Sequence, residues 1–275
     1  MGKKEIEQFL TYLAIDQNVS IATQKQATSA ILFLFREVLN IDIDNKIAHI
    51  KAKNRNPLPV VMTQDEVRRL MSYLSGNNLM LAKILYGSGL RLMETIRLRI
   101  KDIDFDNNHI LIYDGKRNKN RISVFPKSLH SDIKLQIQKV KEQHSNDLKA
   151  GFGSVWLPDA LERKYKNAAK EFKWQYLFPA NQRTIDPRSG IERRHHLMES
   201  TLQKAIKIAA KKSFLNKRVS CHTFRHCFAT HLLENGANIR QVQKLMGHSD
   251  LKTTEIYLHV METKIDITSP FDCLG

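Results

Sequence analysis

The sequence has 275 residues, 42% of them hydrophobic and 26% charged, a composition typical of a globular protein with a sizeable core. Its formal net charge of +16 favours a polyanionic partner, either DNA or RNA, because contacts with phosphates release counterions. A membrane partner is not expected, since no stretch approaches the roughly 20 apolar residues of a spanning helix. The three cysteines, Cys221, Cys227 and Cys273, are too few for a disulfide framework and favour a cytoplasmic location.

The first third of the chain predicts helices on both sides of a linker. Apolar residues recur with helical spacing over 4–15 and 21–39. The basic, proline-containing stretch 51–59 interrupts this pattern and is the best candidate for a linker. Thr63 and Glu66 then form a capping box, which predicts the start of a helix that runs to about Leu74.

The rest of the chain predicts a mainly α fold with one β-hairpin. Residues 109–126 alternate apolar and polar side chains around an Asp114-Gly115 turn, and the hairpin tip 116–121 carries four cations. The aromatic and basic segment 150–197 is irregular and has the character of an insertion. The predicted helices of this part are 78–87, 91–100, 128–144, 159–173, 198–212, 223–235, 239–246 and 250–260.

The segment Cys221-His-Thr-Phe-Arg-His-Cys227 is the most informative one for chemistry. His222 and Arg225 are three residues apart, so they are expected on one face at the start of a helix, where unpaired amides favour an anion. An exposed basic helix end would show the same pattern. Zinc binding is disfavoured, because two adjacent Cys-His pairs on one helical turn cannot converge tetrahedrally.

Three further short segments contain candidate functional residues, and their order and spacing along the chain are more informative than any one of them. Gly89-Leu-Arg91 places an arginine at a helix start, Gly247-His248 follows a short helix, and Tyr257 lies on the last predicted helix. Each piece alone is ordinary. Together, Gly89-Leu-Arg91 with Glu94, Gly115-Lys116, His222-Thr-Phe-Arg225-His226, Leu245-Met-Gly-His248 and Tyr257 resemble the signature of tyrosine recombinases, the family of phage integrases and Xer-type enzymes.

The resemblance implies a DNA-cleaving and rejoining reaction with Tyr257 as nucleophile. Its product would be a 3′-phosphotyrosine and a free 5′-hydroxyl, a linkage that a second strand can attack without ATP. Arg91 and Arg225 would hold the non-bridging phosphate oxygens, since guanidinium groups are permanently charged and bidentate.

The remaining catalytic residues implied by the resemblance are two histidines and a lysine. His248 would donate to the phosphate, His222 would orient it or accept the tyrosine proton, and Lys116 would protonate the leaving oxygen. No cofactor and no metal are expected, because the sequence has neither a Walker loop nor a metal-binding carboxylate cluster. Glu94 is expected to hold Arg91 or a backbone amide, and His231 to be solvated or packed. His226 is expected either to be structural or to contact a catalytic side chain without touching the substrate.

A narrower resemblance concerns the insertion. The segments 160–165, 174–179 and 193–196 resemble the extra segment of integron integrases, which recombine gene-cassette sites folded from single-stranded DNA. By position, Trp174, Pro187, His195 and His196 resemble the residues that pack extruded bases; core packing beside Tyr176 is the alternative for Trp174. Other predicted DNA contacts are the hairpin cations Arg117, Lys119 and Arg121.

The predicted domains are a partial helical core-binding domain, 1–52, and a catalytic domain, 53–275, with the insertion at about 150–197. Family members carry about four helices before the linker and act as homo-tetramers on DNA, whereas two helices are predicted here. The C-terminal residues Ile265, Ile267 and Phe271 are expected to dock on a neighbouring subunit. Two alternatives remain: a truncated relic that binds DNA without completing recombination, and a topoisomerase-like enzyme that religates the original strand.

Overall fold

The fold is taken from a computed structural model, which describes residues 2–43, 47–53, 58–113, 120–165 and 167–262. The chain divides into two compact units, Met1–Pro57 and Leu58–Gly275. Among the described residues, no helix combines the length and apolar character needed to cross a membrane.

The first unit is a small helical body. Helix α1 (Lys3–Ile15) is followed by α2 (Ile21–Phe33), which Ser20 caps and which continues as a π-helical turn. The side chain of Gln24 is buried and donates to the carbonyls of Leu10 and Ile50, 2.8 Å from each. These bonds fasten the end of the unit to its two helices. Its apolar core is formed by Ile6, Leu10, Phe35 and Ile43.

The second unit is mainly helical. The predicted capping box is confirmed at its first helix, because the Thr63 hydroxyl accepts from the Glu66 amide and the Glu66 carboxylate accepts from the Thr63 amide. Its helices are α3 (Gln64–Met71), α4 (Gly76–Ser88), α5 (Leu92–Ile96), α6 (His130–Lys149), α7 (Asp159–Lys164), α8 (Glu199–Lys212), α9 (Cys221–Glu234), α10 (Ile239–Met246) and α11 (Lys252–Glu262).

The predicted hairpin belongs to a three-stranded antiparallel sheet. Strands β2 (His109–Ile112) and β3 (Arg121–Val124) pair with Ile112 opposite Arg121, and the two-residue strand β1 (Ile103–Asp104) was not foreseen. The hairpin tip, with Lys116, Arg117 and Lys119, lies outside the described residues.

The insertion begins after α6 and contains a short ribbon of β4 (Thr184–Ile185) and β5 (Glu192–Arg193). Asp147, near the end of α6, accepts hydrogen bonds from Arg183 and Arg194 on either side of this ribbon. The ion pairs lower the pKa of the Asp147 carboxyl, first through its hydrogen bond with Arg194. The insertion is thus anchored to the helical body by buried charge.

Two predicted helices are longer than the observed ones. The helix predicted over 91–100 ends at Ile96, because Arg99 turns into extended backbone and forms a bridge with Tyr176 of the insertion. The helix predicted over 159–173 ends at Lys164, and 3-10 turns follow it. In the first case, pairing with a segment remote in sequence overrides the local helical pattern.

Helix α9 lies at the centre of the second unit and packs against α4, α8, α10 and α11. The close approach of α4 depends on Gly89, which ends α4 in the left-handed region with φ +62°. A Cβ at this position would lie 2.2 Å from the Phe228 ring of α9. Glycine therefore allows the chain to leave α4 directly against α9 and brings Arg91 to the start of α5.

Candidate active site

Tyr257 lies on the inner face of α11, with 2% of its surface exposed. Its hydroxyl is 3.0 Å from Nδ1 of His226 on α9. Burial raises the pKa of the Tyr257 phenol to about 12, against the opposing effect of the nearby Arg225 charge. The phenol is therefore protonated at neutral pH and needs a proton acceptor before it can act as a nucleophile.

Arg225 is enclosed in the same region, with 4% of its surface exposed. Its guanidinium donates to the carbonyl oxygens of Gly89 and Met246, and Nη2 also donates to Nε2 of His248 at 3.3 Å. These acceptors fix the planar group in one orientation. Burial, with the neighbouring Arg91 charge, lowers the pKa of Arg225 to about 10, which is the electrostatic signature of a site that would favour an anion.

His248 follows Gly247, the left-handed C-cap of α10. Its Nε2 accepts from Arg225, so Nδ1 carries the proton that Thr254 Oγ1 accepts at 2.9 Å. The imidazole ring of His248 lies nearly parallel to the phenol ring of Tyr257, with an interplanar angle of 12° and 6.4 Å between the ring centroids. Burial lowers the pKa of His248 to about 4, with a further contribution from the Arg225 charge, so the ring is neutral at pH 7.

Arg91 caps the start of α5 and is more exposed than Arg225. The Glu94 carboxylate accepts from the Arg91 amide at 2.7 Å and from its guanidinium at 2.8 Å. This confirms the prediction that Glu94 holds Arg91. The guanidinium keeps an open side, with 41% of the side chain exposed, from which it can reach a ligand.

Arg121 was predicted to contact DNA. In the structure its side chain points inward and only 11% of it is exposed. Both of its terminal nitrogens donate to Glu94, at 2.8 and 2.6 Å, and Nε donates to the Leu245 carbonyl at 3.1 Å. The absence of a side chain at Gly247 leaves room for this guanidinium. Arg121 thus connects the base of the hairpin to Glu94 and to the end of α10.

His222 and Arg225 lie three residues apart on α9, as the predicted shared face requires, but their side chains differ in exposure. His222 is exposed on the first turn of α9, whereas Arg225 is buried because neighbouring helices surround α9 on nearly all sides. His226 contacts the Tyr257 hydroxyl, which agrees with the second alternative expected for it, contact with a catalytic side chain. His231 is packed, within hydrogen-bond distance of the Tyr86 hydroxyl and the Met62 carbonyl.

The structure gathers three of the predicted base-packing residues around Tyr176. His195 stacks near the Tyr176 ring, His196 contacts it edge-on, and Trp174 packs in the same cluster. The Arg99 guanidinium lies 4.5 Å from the Tyr176 centroid and 5.9 Å from that of Trp174. The Tyr176 ring is buried, whereas Trp174, His195 and His196 are half-buried. Packing beside Tyr176 therefore covers part of the Trp174 side chain and leaves the rest exposed.

Pro187 is the fourth residue predicted to pack extruded bases. It is exposed in the turn between β4 and β5, beside Asp186, whose carboxylate is 3.7 Å from Nε2 of His195. Lys101 lies on the other side of the cluster, 4.5 Å from the Trp174 centroid and 4.0 Å from that of Tyr113. Tyr113 directly follows β2, so the cluster adjoins the base of the hairpin.

Comparison with known proteins identifies the family. The phage integrase family matches residues 60–264, which include the whole cluster around Tyr257 and Arg225. The chain belongs to this family. A second match assigns residues 1–45 to the N-terminal SAM-like domain of phage integrases. The family consists of enzymes that break and rejoin DNA, and this phage integrase family member is accordingly an enzyme of that type.

The relatives include proteins that align over the whole chain. An Escherichia coli protein named "Integrase/recombinase" is 41% identical over 277 residues, which cover 100% of this chain and 82% of that protein. Tyrosine recombinase XerD of Oceanobacillus iheyensis is 29% identical over 96% of this chain and 80% of its own length.

Solved structures show the same fold. The XerH site-specific recombinase bound to its palindromic difH substrate aligns with a TM-score of 0.62 at 21% identity, over 97% of this chain and 71% of that one. The XerA recombinase aligns with a TM-score of 0.53 at 24% identity, over 98% and 85%. Across the described part of the chain, no group of three or more His, Cys, Asp and Glu side chains is arranged to hold a metal ion.

Proposed function

We propose that this protein is a site-specific recombinase that cleaves DNA through a 3′-phosphotyrosine at Tyr257 and recombines integron gene cassettes at folded single-stranded sites. The observation that carries the proposal is the convergence of a buried phenol, a buried guanidinium and two neutral imidazoles from α9, α10 and α11. A nucleophile therefore lies beside a site that would bind a phosphate.

The phosphate would bind between Arg91 and Arg225. Arg225 is pre-oriented by two carbonyl acceptors, and Arg91 is held by Glu94 with one side open. Donors fixed in advance stabilise the charge that develops on the non-bridging oxygens without reorganisation during the reaction. His222, exposed at the start of α9, would contact the same phosphate from the solvent side.

Cleavage would exchange the DNA phosphodiester bond for a phosphotyrosine bond of similar energy. The Tyr257 oxygen forms a bond to phosphorus while the bond to the 5′-oxygen breaks, and Lys116 of the hairpin tip supplies the proton to that oxygen. His248 would release Arg225 and take the tautomer with its hydrogen on Nε2, which donates to the phosphate, while the Thr254 hydroxyl donates to Nδ1. The 5′-hydroxyl of another strand reverses the attack, which exchanges strands without a cofactor.

The choice of folded cassette sites is supported by the aromatic cluster and by the resemblance of the insertion to that of integron integrases. Stacking of an extruded base on an aromatic side chain contributes about 1–3 kcal/mol. Trp174, His195 and His196 lie together around Tyr176, and exposed Pro187 lies near them in sequence. Arg117 and Lys119 of the hairpin tip would contact the DNA backbone.

The recombinase is further proposed to act in the cytoplasm as a homo-tetramer on two DNA sites. The chemistry supports the tetramer, because each of the two sites has two strands to cleave and one tyrosine serves each strand. A free 5′-hydroxyl on one site must find a phosphotyrosine on the other.

A nicked suicide substrate tests the proposed function. The substrate is a folded single strand with extrahelical bases, nicked just beyond the cleavage point so that the released fragment diffuses away. We expect a protein–DNA band on denaturing gels, its loss in Tyr257→Phe, and a weaker band on the perfectly paired duplex. No covalent band despite a clear native mobility shift would support a DNA-binding relic instead. Equal bands on both substrates would contradict the cassette preference alone.

A further inference from the structure

The His226 imidazole of α9 lies within hydrogen-bond distance of the Tyr257 hydroxyl. Nδ1 of His226 is 3.0 Å from the phenol oxygen, and the two rings are 5.7 Å apart with an angle of 48°. The imidazole therefore meets the hydroxyl with its nitrogen edge. This geometry suits proton transfer, which requires the donor and acceptor atoms to lie about 2.6–3.2 Å apart.

We infer that His226 is a catalytic residue, the general base that accepts the Tyr257 proton during DNA cleavage and returns it during rejoining. This inference rests on the proposed function. It assigns the step to a different side chain from His222, which the sequence pattern indicates for the same role.

The other histidines of the site are less suitably placed. His222 is exposed, and its ring centroid is 6.4 Å from that of His226. His248 presents its face to Tyr257, and both of its ring nitrogens are engaged, one by Arg225 and one by Thr254. His226 alone among these three has a ring nitrogen within hydrogen-bond distance of the phenol in the described structure.

The surroundings keep His226 neutral. The titratable and charged groups that face it are His222 and Arg225 from α9, His248 after α10 and Tyr257 from α11. Burial lowers the pKa of His226 to about 4, and the His222 and Arg225 contributions act in the same direction. A neutral ring that carries its hydrogen on Nε2 has a free lone pair on Nδ1.

A base with so low a pKa needs help from the substrate. A bound phosphodiester adds negative charge beside Arg225, which cancels part of the repulsion that disfavours imidazolium. Proton affinity at Nδ1 therefore rises when DNA arrives. Tyr257 therefore stays protonated in the absence of DNA, and bound DNA favours transfer of its proton to His226.

The step balances in atoms and charge. The phenolic O–H bond breaks, its proton moves to Nδ1 of His226, and the oxygen electron pair forms the bond to phosphorus. The bond from phosphorus to the 5′-oxygen breaks, and that oxygen takes a proton from Lys116. In rejoining, the 5′-hydroxyl returns its proton to Lys116 and attacks phosphorus, the bond from phosphorus to the Tyr257 oxygen breaks, and the His226 imidazolium returns its proton to that oxygen.

The test is the pH profile of single-turnover cleavage by His226→Asn on the suicide substrate. The Asn carbonyl oxygen occupies a position close to that of Nδ1, so it can accept the hydrogen bond but cannot carry the proton. We expect cleavage at pH 7 to slow by about 10²–10³-fold. The rate of the variant should then rise nearly tenfold per pH unit up to pH 9, because hydroxide replaces the missing base, while the wild-type rate rises much less.

His222→Asn serves as the matched control, with DNA affinity and thermal midpoint measured for each variant. It should lower the rate by a similar factor at every pH, since it removes a phosphate contact. Wild-type rates in His226→Asn, or a loss that is equal at every pH, would overturn the inference and leave a structural role. A wild-type protein that forms no covalent complex would instead overturn the proposed function, and the inference with it.

Discussion

Glu94→Gln is expected to lower the free energy of unfolding by about 3 kcal/mol at pH 7. The carboxylate is 17% exposed and accepts hydrogen bonds from Arg121 and Arg91. Although burial opposes ionisation, these contacts, of which Arg121 makes the largest contribution, lower the pKa of Glu94 from 4.5 to about 2. Each unit of that difference corresponds to about 1.4 kcal/mol of stability in favour of the ionised folded state.

The sign of the pH dependence follows from the lowered pKa. The stabilisation is fully present above about pH 4.5 and is lost as the pH falls toward 2, where Glu94 becomes protonated in the folded state as well. Urea unfolding of wild type and Glu94→Gln between pH 7 and pH 3 should therefore show a difference that narrows toward low pH.

An exposed ion pair provides the control for this measurement. Asp65 and Arg68 on α3 also form a salt bridge, but their side chains are 86% and 73% exposed. Asp65→Asn should change stability by less than about 0.5 kcal/mol, as is typical of surface pairs. A similar small effect for both variants would show that the hydrogen bonds of Glu94 with Arg91 and Arg121 do not stabilise the contact between α5, β3 and the end of α10.

Arg225→Lys is expected to reduce DNA cleavage by about 10³-fold, even though the charge is retained. The guanidinium of Arg225 reaches the carbonyls of Gly89 and Met246 and Nε2 of His248 with separate N–H groups. An ammonium is a single point donor and cannot reproduce this planar fork. Two buried acceptors would then lose their partners, at a cost of about 1–3 kcal/mol each.

The same variant tests the anion site apart from catalysis. Inorganic phosphate should raise the thermal midpoint of the wild type, because binding to the folded state stabilises it, and should raise that of Arg225→Lys less. Arg240→Lys, at an exposed position on α10, is the matched control and should behave as wild type. Near wild-type cleavage by Arg225→Lys would contradict the proposed clamp.

Much of the local structure follows from short-range patterns in the sequence. The capping box at Thr63 and the alternation at 109–112 and 121–124 each have a local physical cause, and each is present in the structure. Strand β1 escaped prediction because two residues, Ile103 and Asp104, are too few to show a period.

The site was harder to predict, because packing around α9 decides which polar side chains are enclosed. Spacing of three residues places His222 and Arg225 on one helix face, but it cannot tell that neighbouring helices cover Arg225. The contact of His226 with Tyr257 joins residues 31 apart in sequence, and that of Arg121 with Glu94 joins residues 27 apart. The adjacency of His226 to Arg225 was the signal available in the sequence, and it did not indicate a partner.

The most direct test of the central claim is to identify the residue that becomes linked to DNA. The trapped complex is digested with nuclease and trypsin, and the adduct is located by tandem mass spectrometry. Tryptic peptide 253–264 contains a single tyrosine, Tyr257. We expect this peptide to carry the mass of a 3′-linked nucleotide, with fragment ions that place it on Tyr257. An adduct on another peptide, or on a serine or threonine, would contradict the account.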